Sequence, residues 1–207
     1  MHYHSPQEIE SESMRIIEQE AGTHSFTPEE WTIVKRIIHA SADFDVMDTI
    51  RFHTRAISSG ILSIRDGRPV YADTGMLSAA ITKRVKEIYG CPVVCLVGDE
   101  EVRKASAATG ETRSTLALRA SAPQLKRGII AIGNAPTALT EALRLCKEGL
   151  ITPDLIIGMP VGFVGAVESK DNLLDSRLVC ITMLGRKGGT AAAAATINAL
   201  VQLAGDT

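Results

Sequence analysis

The chain has 207 residues and a net charge of −2, and 45% of its residues are hydrophobic. That length suits one ordinary domain with a core of its own, and the hydrophobic share sets it apart from disordered and fibrous chains. The small net charge excludes nucleic-acid binding through bulk electrostatics, so an anionic ligand must be met by local Arg, Lys and backbone N–H groups.

His2 and His4 form an H-x-H, which reads as a mobile tail ahead of a metal site. Ser5-Pro6-Gln7-Glu8 combines a capping box with Pro at the first helical position, and predicts a helix to Glu20, before Gly22. Thr27-Pro28-Glu29-Glu30 repeats the device and opens a second helix, with Trp31, Val34 and Ile38 on its core stripe and His39 near its end. A further helical region is expected over Met47 to Ser59.

From there short β-branched runs alternate with helix-length segments. Strands are expected at residues 69–72, 93–97, 128–132, 155–157 and 178–183. Helices are expected at about residues 74–89, 100–125, 137–148, 164–173 and 189–204. This pattern implies an α/β fold, a doubly wound, mostly parallel sheet of about five strands with helices on both faces, preceded by N-terminal helices. Residues 1–207 read as a single domain, a helical segment at 5–65 packed on an α/β core at 66–207. Functional groups should collect at the C-terminal ends of the strands.

Cys91, Cys95, Cys146 and Cys180 form no C-x-x-C pair, and Cys95 and Cys180 lie in apolar runs and read as buried reduced thiols. This suits the cytoplasm. Residues 1–20 are polar and acidic, so no signal peptide is expected, and no apolar run is long enough to span a bilayer.

Three strand ends carry unusual loops. After the strand at 128–132, Gly133 permits a sharp turn, Asn134 is a candidate cap for the next helix, and Pro136 suits its first turn. Taken alone, this is a well-made strand-to-helix connection. Gly158-Met159-Pro160-Val161-Gly162-Phe163-Val164-Gly165 has the spacing G-x-x-x-G-x-x-G, unlike a dinucleotide fingerprint, and suits close approach of backbone to another ligand. Gly185-Arg186-Lys187-Gly188-Gly189-Thr190 presents glycines and basic residues at a helix start, an anion-binding pattern without the Walker order. Arg113, near another helix start, is placed to fork onto a carboxylate.

His39 is the candidate proton donor, since an imidazole titrates near working pH. Lys35, Arg36 and Asp43 share its helical face: the cations would lower its pKa and Asp43 would raise it. The residues imply an anionic, large ligand, handled by proton transfer or by binding alone.

The segments Arg36-Ile37-Ile38-His39-Ala40, Glu111-Thr112-Arg113-Ser114, Ala131 to Leu139, Gly158 to Ala166, Glu168-Ser169-Lys170 and Gly188-Gly189-Thr190 closely resemble the precorrin-8X methylmutase / cobalt-precorrin-8 methylmutase family, over essentially the whole chain. The resemblance implies an isomerase with no cofactor. A methyl group on the tetrapyrrole rim would migrate from ring carbon 11 to carbon 12 by a 1,5-sigmatropic shift, giving hydrogenobyrinate, or cobyrinate when cobalt is present. The family's catalytic histidine falls on His39, as the acid that protonates the macrocycle. By position, Ser13, Arg36, Arg113 and the turn Gly188, Gly189, Thr190 would meet substrate carboxylates. The loops holding Gly133, Asn134 and Ala135, and Gly162 and Gly165, would line the faces of the ring. The resemblance also implies a homodimer with its site near the subunit interface. Some members carry Asn where this chain has Glu111, so Glu111 receives no binding role, and Asp43 also varies.

Two other functions remain from the residues. One is a non-catalytic corrinoid carrier, which would bind the tetrapyrrole and pass it on. The other, a nucleotide-dependent enzyme built on the loop from Gly158 to Gly165, is disfavoured by the glycine spacing.

Overall fold

The structure, a computed structural model, describes residues 5–206, so His2 and His4 lie outside the described residues. The first two helices form as their caps dictate. In α1 (Pro6–Ala21) the Ser5 side chain accepts the Glu8 N–H. In α2 (Pro28–Ser41) Thr27 and Glu30 form a reciprocal capping box, with Trp31, Ile33, Val34, Ile37 and Ile38 buried.

The expected helix over 47–59 is interrupted. It resolves into α3 (Val46–Thr49), a strand β1 (Ile50–Phe52) and α4 (Ala56–Arg65). Thr49, Ile50 and Phe52 are weak helix formers, and an open sheet edge offers them hydrogen bonds that no local propensity records. The remaining strands are β2 (Val70–Ala72), β3 (Val93–Val94), β4 (Ile129–Ile132), β5 (Leu155–Gly158) and β6 (Cys180–Met183), giving six strands where about five were expected. Their order is β1-β6-β5-β4-β2-β3. β2 to β6 run parallel, and β1 lies antiparallel on β6, with Ile50 opposite Met183.

Alternate side chains of the strands feed two buried layers. Val70, Ala72, Ile129, Ala131, Leu155, Ile157, Ile181 and Met183 face α2, α4 and the Ala-rich α11 (Thr190–Asp206). Tyr71, Ile130, Ile132, Ile156 and Cys180 face α8 (Arg113–Ser121), α9 (Pro136–Lys147) and α10 (Ala166–Asp175). Helices on both faces of a parallel sheet make this the doubly wound arrangement expected. Cys95 is half-buried rather than buried, because β3 ends at Val94, before it.

Two expected helices are broken by specific groups. The segment after β2 divides into α5 (Gly75–Ala80) and α6 (Arg84–Glu87). At that break Asn198 of α11 accepts the Thr82 N–H at 2.8 Å and donates to the Ala80 carbonyl at 3.0 Å. The segment after β3 breaks where α7 (Glu100–Thr109) ends on left-handed Gly110 and Thr112 caps α8. Among the described residues, no helix is long and apolar enough to cross a membrane.

Candidate active site

His39 stands on the last full turn of α2, on its exposed side. The helix ends there because Ala42 takes a left-handed conformation, φ 52°, and returns its N–H to the Ile38 carbonyl. Between α1 and α2 lies a cavity of about 350 Å³ lined by Ser13, Ile16, Ile17, Glu20, Ile38, His39, Ala42 and Phe44. Ser13 and His39, assigned from different helices, thus share one wall. A space of this size admits an edge or a side chain of a large ring rather than the whole of it.

The charges around His39 are each engaged elsewhere. Lys35 pairs with Glu18 at 2.9 Å and Arg36 with Glu10 at 2.6 Å, and Arg36 also donates to Gln202 on α11. Asp43 pairs with Lys187 at 2.7 Å, and that bond holds the Asp43 carboxyl below the usual carboxylate range. Among the described residues none hydrogen-bonds the His39 ring, so the three neighbours in sequence do not grip it as partners. Glu20 is the carboxylate that shares its cavity.

The second group of residues sits at the C-terminal ends of the strands. The strand order reverses between β2 and β4, where doubly wound folds place their ligands. Here that crevice holds the chain's own carboxylate. Buried Asp73, just past β2, accepts the N–H groups of Gly133, Asn134 and Ala135 at 3.2, 2.8 and 2.8 Å. Burial lifts its carboxyl above the usual range, against the downward pull of those three bonds. The Asn134 side chain does not cap α9, contrary to expectation: the helix starts at Pro136 with Ala135 at the cap position, one residue beyond Asn134. An external phosphate has no free N–H at those three positions.

The loops after β4, β5 and β6 are locked together. A Cβ on Gly133 would stand 2.8 Å from the Thr190 Cα, and one on Gly188 2.3 Å from the Met159 carbonyl oxygen, so both positions demand glycine. Gly189 donates to that Met159 carbonyl at 2.8 Å, and Gly162 donates to the Arg186 carbonyl at 3.1 Å. Gly165 lies against Pro136 at the start of α9. Arg113 joins this cluster because Thr112, beside it, is 2.9 Å from Thr137 of α9. At the start of α11 the N–H groups of Thr190, Ala191 and Ala192 find no acceptor among the described residues, which leaves the positive end of a long helix open to an anion.

The fold therefore brings Gly133, Asn134, Ala135, Gly162, Gly165, Gly188, Gly189, Thr190 and Arg113 to one end of the sheet. It brings Ser13 and His39 together in a separate cavity, with Arg36 one turn back. Lys187 joins the two, since it bonds Asp43 and Asp45 beyond α2, but none of the strand-end residues lines the His39 cavity.

Several residues of this region were not anticipated. Asp73 was legible in principle, since it directly follows a strand. Lys170 lies fully buried on α10 and donates to the Lys187 carbonyl at 2.7 Å. Nothing in its sequence neighbourhood marks a buried ammonium. Phe163 and Val164 are 82% and 89% exposed, with the Arg186 guanidinium 5.2 Å from the Phe163 ring centre. Two solvated apolar side chains beside an Arg form a platform suited to a flat anionic ligand.

The precorrin-8X methylmutase family model matches residues 8–203. The chain belongs to the precorrin-8X methylmutase family. It is 43% identical over 199 residues to a cobalt-precorrin-8 methylmutase of Priestia megaterium, covering 96% of this chain and 88% of that one. It is 41% identical to the cobalt-precorrin-8 methylmutase of Leptospira interrogans, covering 94% and 92%. A crystal structure of precorrin-8X methylmutase from Thermus thermophilus superposes with a TM-score of 0.88 at 36% identity, over 97% of both chains. Members of the precorrin-8X methylmutase family are isomerases of cobalamin biosynthesis, and this chain is a methylmutase of that kind. Among the described residues no three His, Cys, Asp or Glu stand together as a metal-ligand set.

Proposed function

We propose that this methylmutase acts on precorrin-8X or cobalt-precorrin-8, moving a methyl group from ring carbon 11 to ring carbon 12 to give hydrogenobyrinate or cobyrinate. His39 is the general acid. Its proton adds to the macrocycle, the methyl group migrates within the ring system, and the proton is lost again, so the product is an isomer of the substrate. The observation that carries this reading is the shared wall of Ser13 and His39 in a cavity walled otherwise largely by apolar residues. A positioned acid of this kind contributes about 10²–10⁴-fold in rate. The remainder comes from holding the ring ready for migration.

Ser13, Arg36, Arg113 and the Gly188-Gly189-Thr190 turn receive carboxylates, while the loops carrying Gly133, Asn134, Ala135, Gly162 and Gly165 lie along the ring. The open N–H groups at the start of α11 support the carboxylate role of that turn. The cavity at His39 is smaller than a tetrapyrrole and is separate from the strand-end loops, which supports completion of the site in a homodimer. Four free cysteines suit a cytoplasmic enzyme.

The test is His39→Ala. Purified variant should bind the product corrinoid as wild type does yet convert substrate about 10²–10⁴-fold more slowly. Conversion at the wild-type rate would overturn the assignment. A wild-type protein that binds the corrinoid without converting it would establish the carrier reading instead. Relatives at 43% and 41% identity carry the cobalt-precorrin-8 name, and two at 35% and 37% the precorrin-8X name. We therefore expect the cobalt-loaded substrate to turn over with the higher kcat/KM.

A further inference from the structure

Lys170 is among the largest side chains that the fold buries completely, and the mechanism above does not use it. Its neighbours on α10 include Ser169, also buried, and Asp171, which is exposed. Placing an ammonium in the interior costs several kcal/mol unless something requires it. It donates to the Lys187 carbonyl at 2.7 Å, the last carbonyl before Gly188. The Lys187 side chain turns the other way, to Asp43 and Asp45. The same loop is held a second time by the Gly189 N–H on Met159. Two fixed points thus bracket a turn whose glycines would otherwise sample many conformations, directly ahead of the open N–H groups of α11.

We infer that Lys170 is the positioning residue of this turn: its ammonium pins the Lys187 carbonyl so that the turn through Gly188 and Gly189 presents the open N–H groups of Thr190, Ala191 and Ala192 to a substrate carboxylate. This rests on the methylmutase reading above. A buried positive charge bonded to a carbonyl just ahead of a helix N-terminus adds to the field that attracts the anion, so the same side chain orients the turn and raises its affinity. Burial lowers the Lys170 pKa to about 8, with Asp171 opposing the change. The charged group that acts on Lys170 is Asp171 on α10; the Lys187 ammonium, on the β6–α11 loop, turns away to Asp43 and Asp45. Affinity should therefore fall as pH rises through about 8, where the ammonium is lost.

The experiment compares wild type with Lys170→Met on the authentic substrate, with cobyrinate as the binding probe. Wild type should lose affinity for cobyrinate between pH 7 and pH 9, about tenfold, which equals one power of ten in Kd. Lys170→Met should show a KM raised about tenfold at pH 7, a kcat within about threefold, and no fall in affinity over the same pH range. A variant with wild-type KM and a wild-type pH profile overturns the inference while leaving the methylmutase reading intact. Should Lys170→Met fail to fold, carbon-13 labelled lysine NMR on wild type decides. The Lys170 resonance should titrate near pH 8 and shift to higher pH when cobyrinate binds, and an unmoved titration overturns the inference. A wild-type protein that neither binds cobyrinate nor turns over substrate removes both readings together.

Discussion

Lys187, in the loop after the last strand, places its ammonium 2.7 Å from the carboxylate of Asp43, four residues beyond His39. The bond joins the end of the histidine's helix to the strand-end loops, and Asp45 doubles it at 2.6 Å. Both carboxylates raise the Lys187 pKa, Asp43 first, so the ammonium stays charged throughout the working range. Exposed pairs of this kind add little to stability, because solvent screens them. Lys187→Ala should therefore leave the melting temperature nearly unchanged while raising KM about fivefold. Steady-state kinetics beside a thermal scan checks this. A double exchange, Asp43→Lys with Lys187→Asp, should restore part of the loss.

Asp73 holds the β4–α9 turn through three N–H groups. In Asp73→Asn one of the two oxygens becomes an NH₂ that confronts an N–H. A buried donor left without an acceptor costs about 1–3 kcal/mol. The melting temperature should fall by roughly 2–12 °C, given about 2–4 °C per kcal/mol for a chain of this size. An unchanged melting temperature would show that the turn holds without Asp73.

The buried Glu141 on α9 receives Arg119 and Arg144 at 2.8 and 2.7 Å, and Arg119 also carries Glu111 at 2.8 Å. Burial pushes the Glu141 carboxyl up, but the bonds from Arg144 and Arg119 outweigh it and hold the pKa at about 2. The folded value lies below the ordinary 4.5, so its stabilisation is present above pH 4.5 and is lost as pH falls through about 2. With both guanidinium groups partly exposed, the contribution is about 1–2 kcal/mol. Glu141→Gln should be less stable than wild type by that amount at pH 6, and urea melts at pH 2 should bring the two together. A gap independent of pH would assign the effect to packing instead.

Phe163 and Arg186 stack on the rim of the strand-end cluster. Phe163→Ala removes an exposed ring, so stability should hold within about 0.5 kcal/mol. Loss of a stacking surface for a flat ligand is worth about 0.5–1.5 kcal/mol, a KM increase of roughly two- to tenfold. Sedimentation of the same variant shows whether the ring serves substrate or subunit contact. An unchanged KM with a shifted oligomeric state would favour the contact.

The local order of this protein was written in its sequence. Thr27 and Glu30 capped the His39 helix as their spacing required, and four of the parallel strands appeared within a residue or two of their β-branched runs. Gly188 and Gly133, singled out as turn residues, proved to be places where no Cβ fits. These features depend on contacts within a few residues, which spacing and residue type record. Tertiary structure decided the rest. Ile50 to Phe52 became a strand because the edge of β6 was open, and Asn198 broke a helix that lies more than a hundred residues earlier in the chain. Asp43 turned to Lys187 rather than to His39, and Asp73, from the end of another strand, came to hold the turn that Asn134 was expected to cap. A side chain's partner is chosen by whichever groups the packed chain brings within about 3 Å, and linear distance does not carry that information.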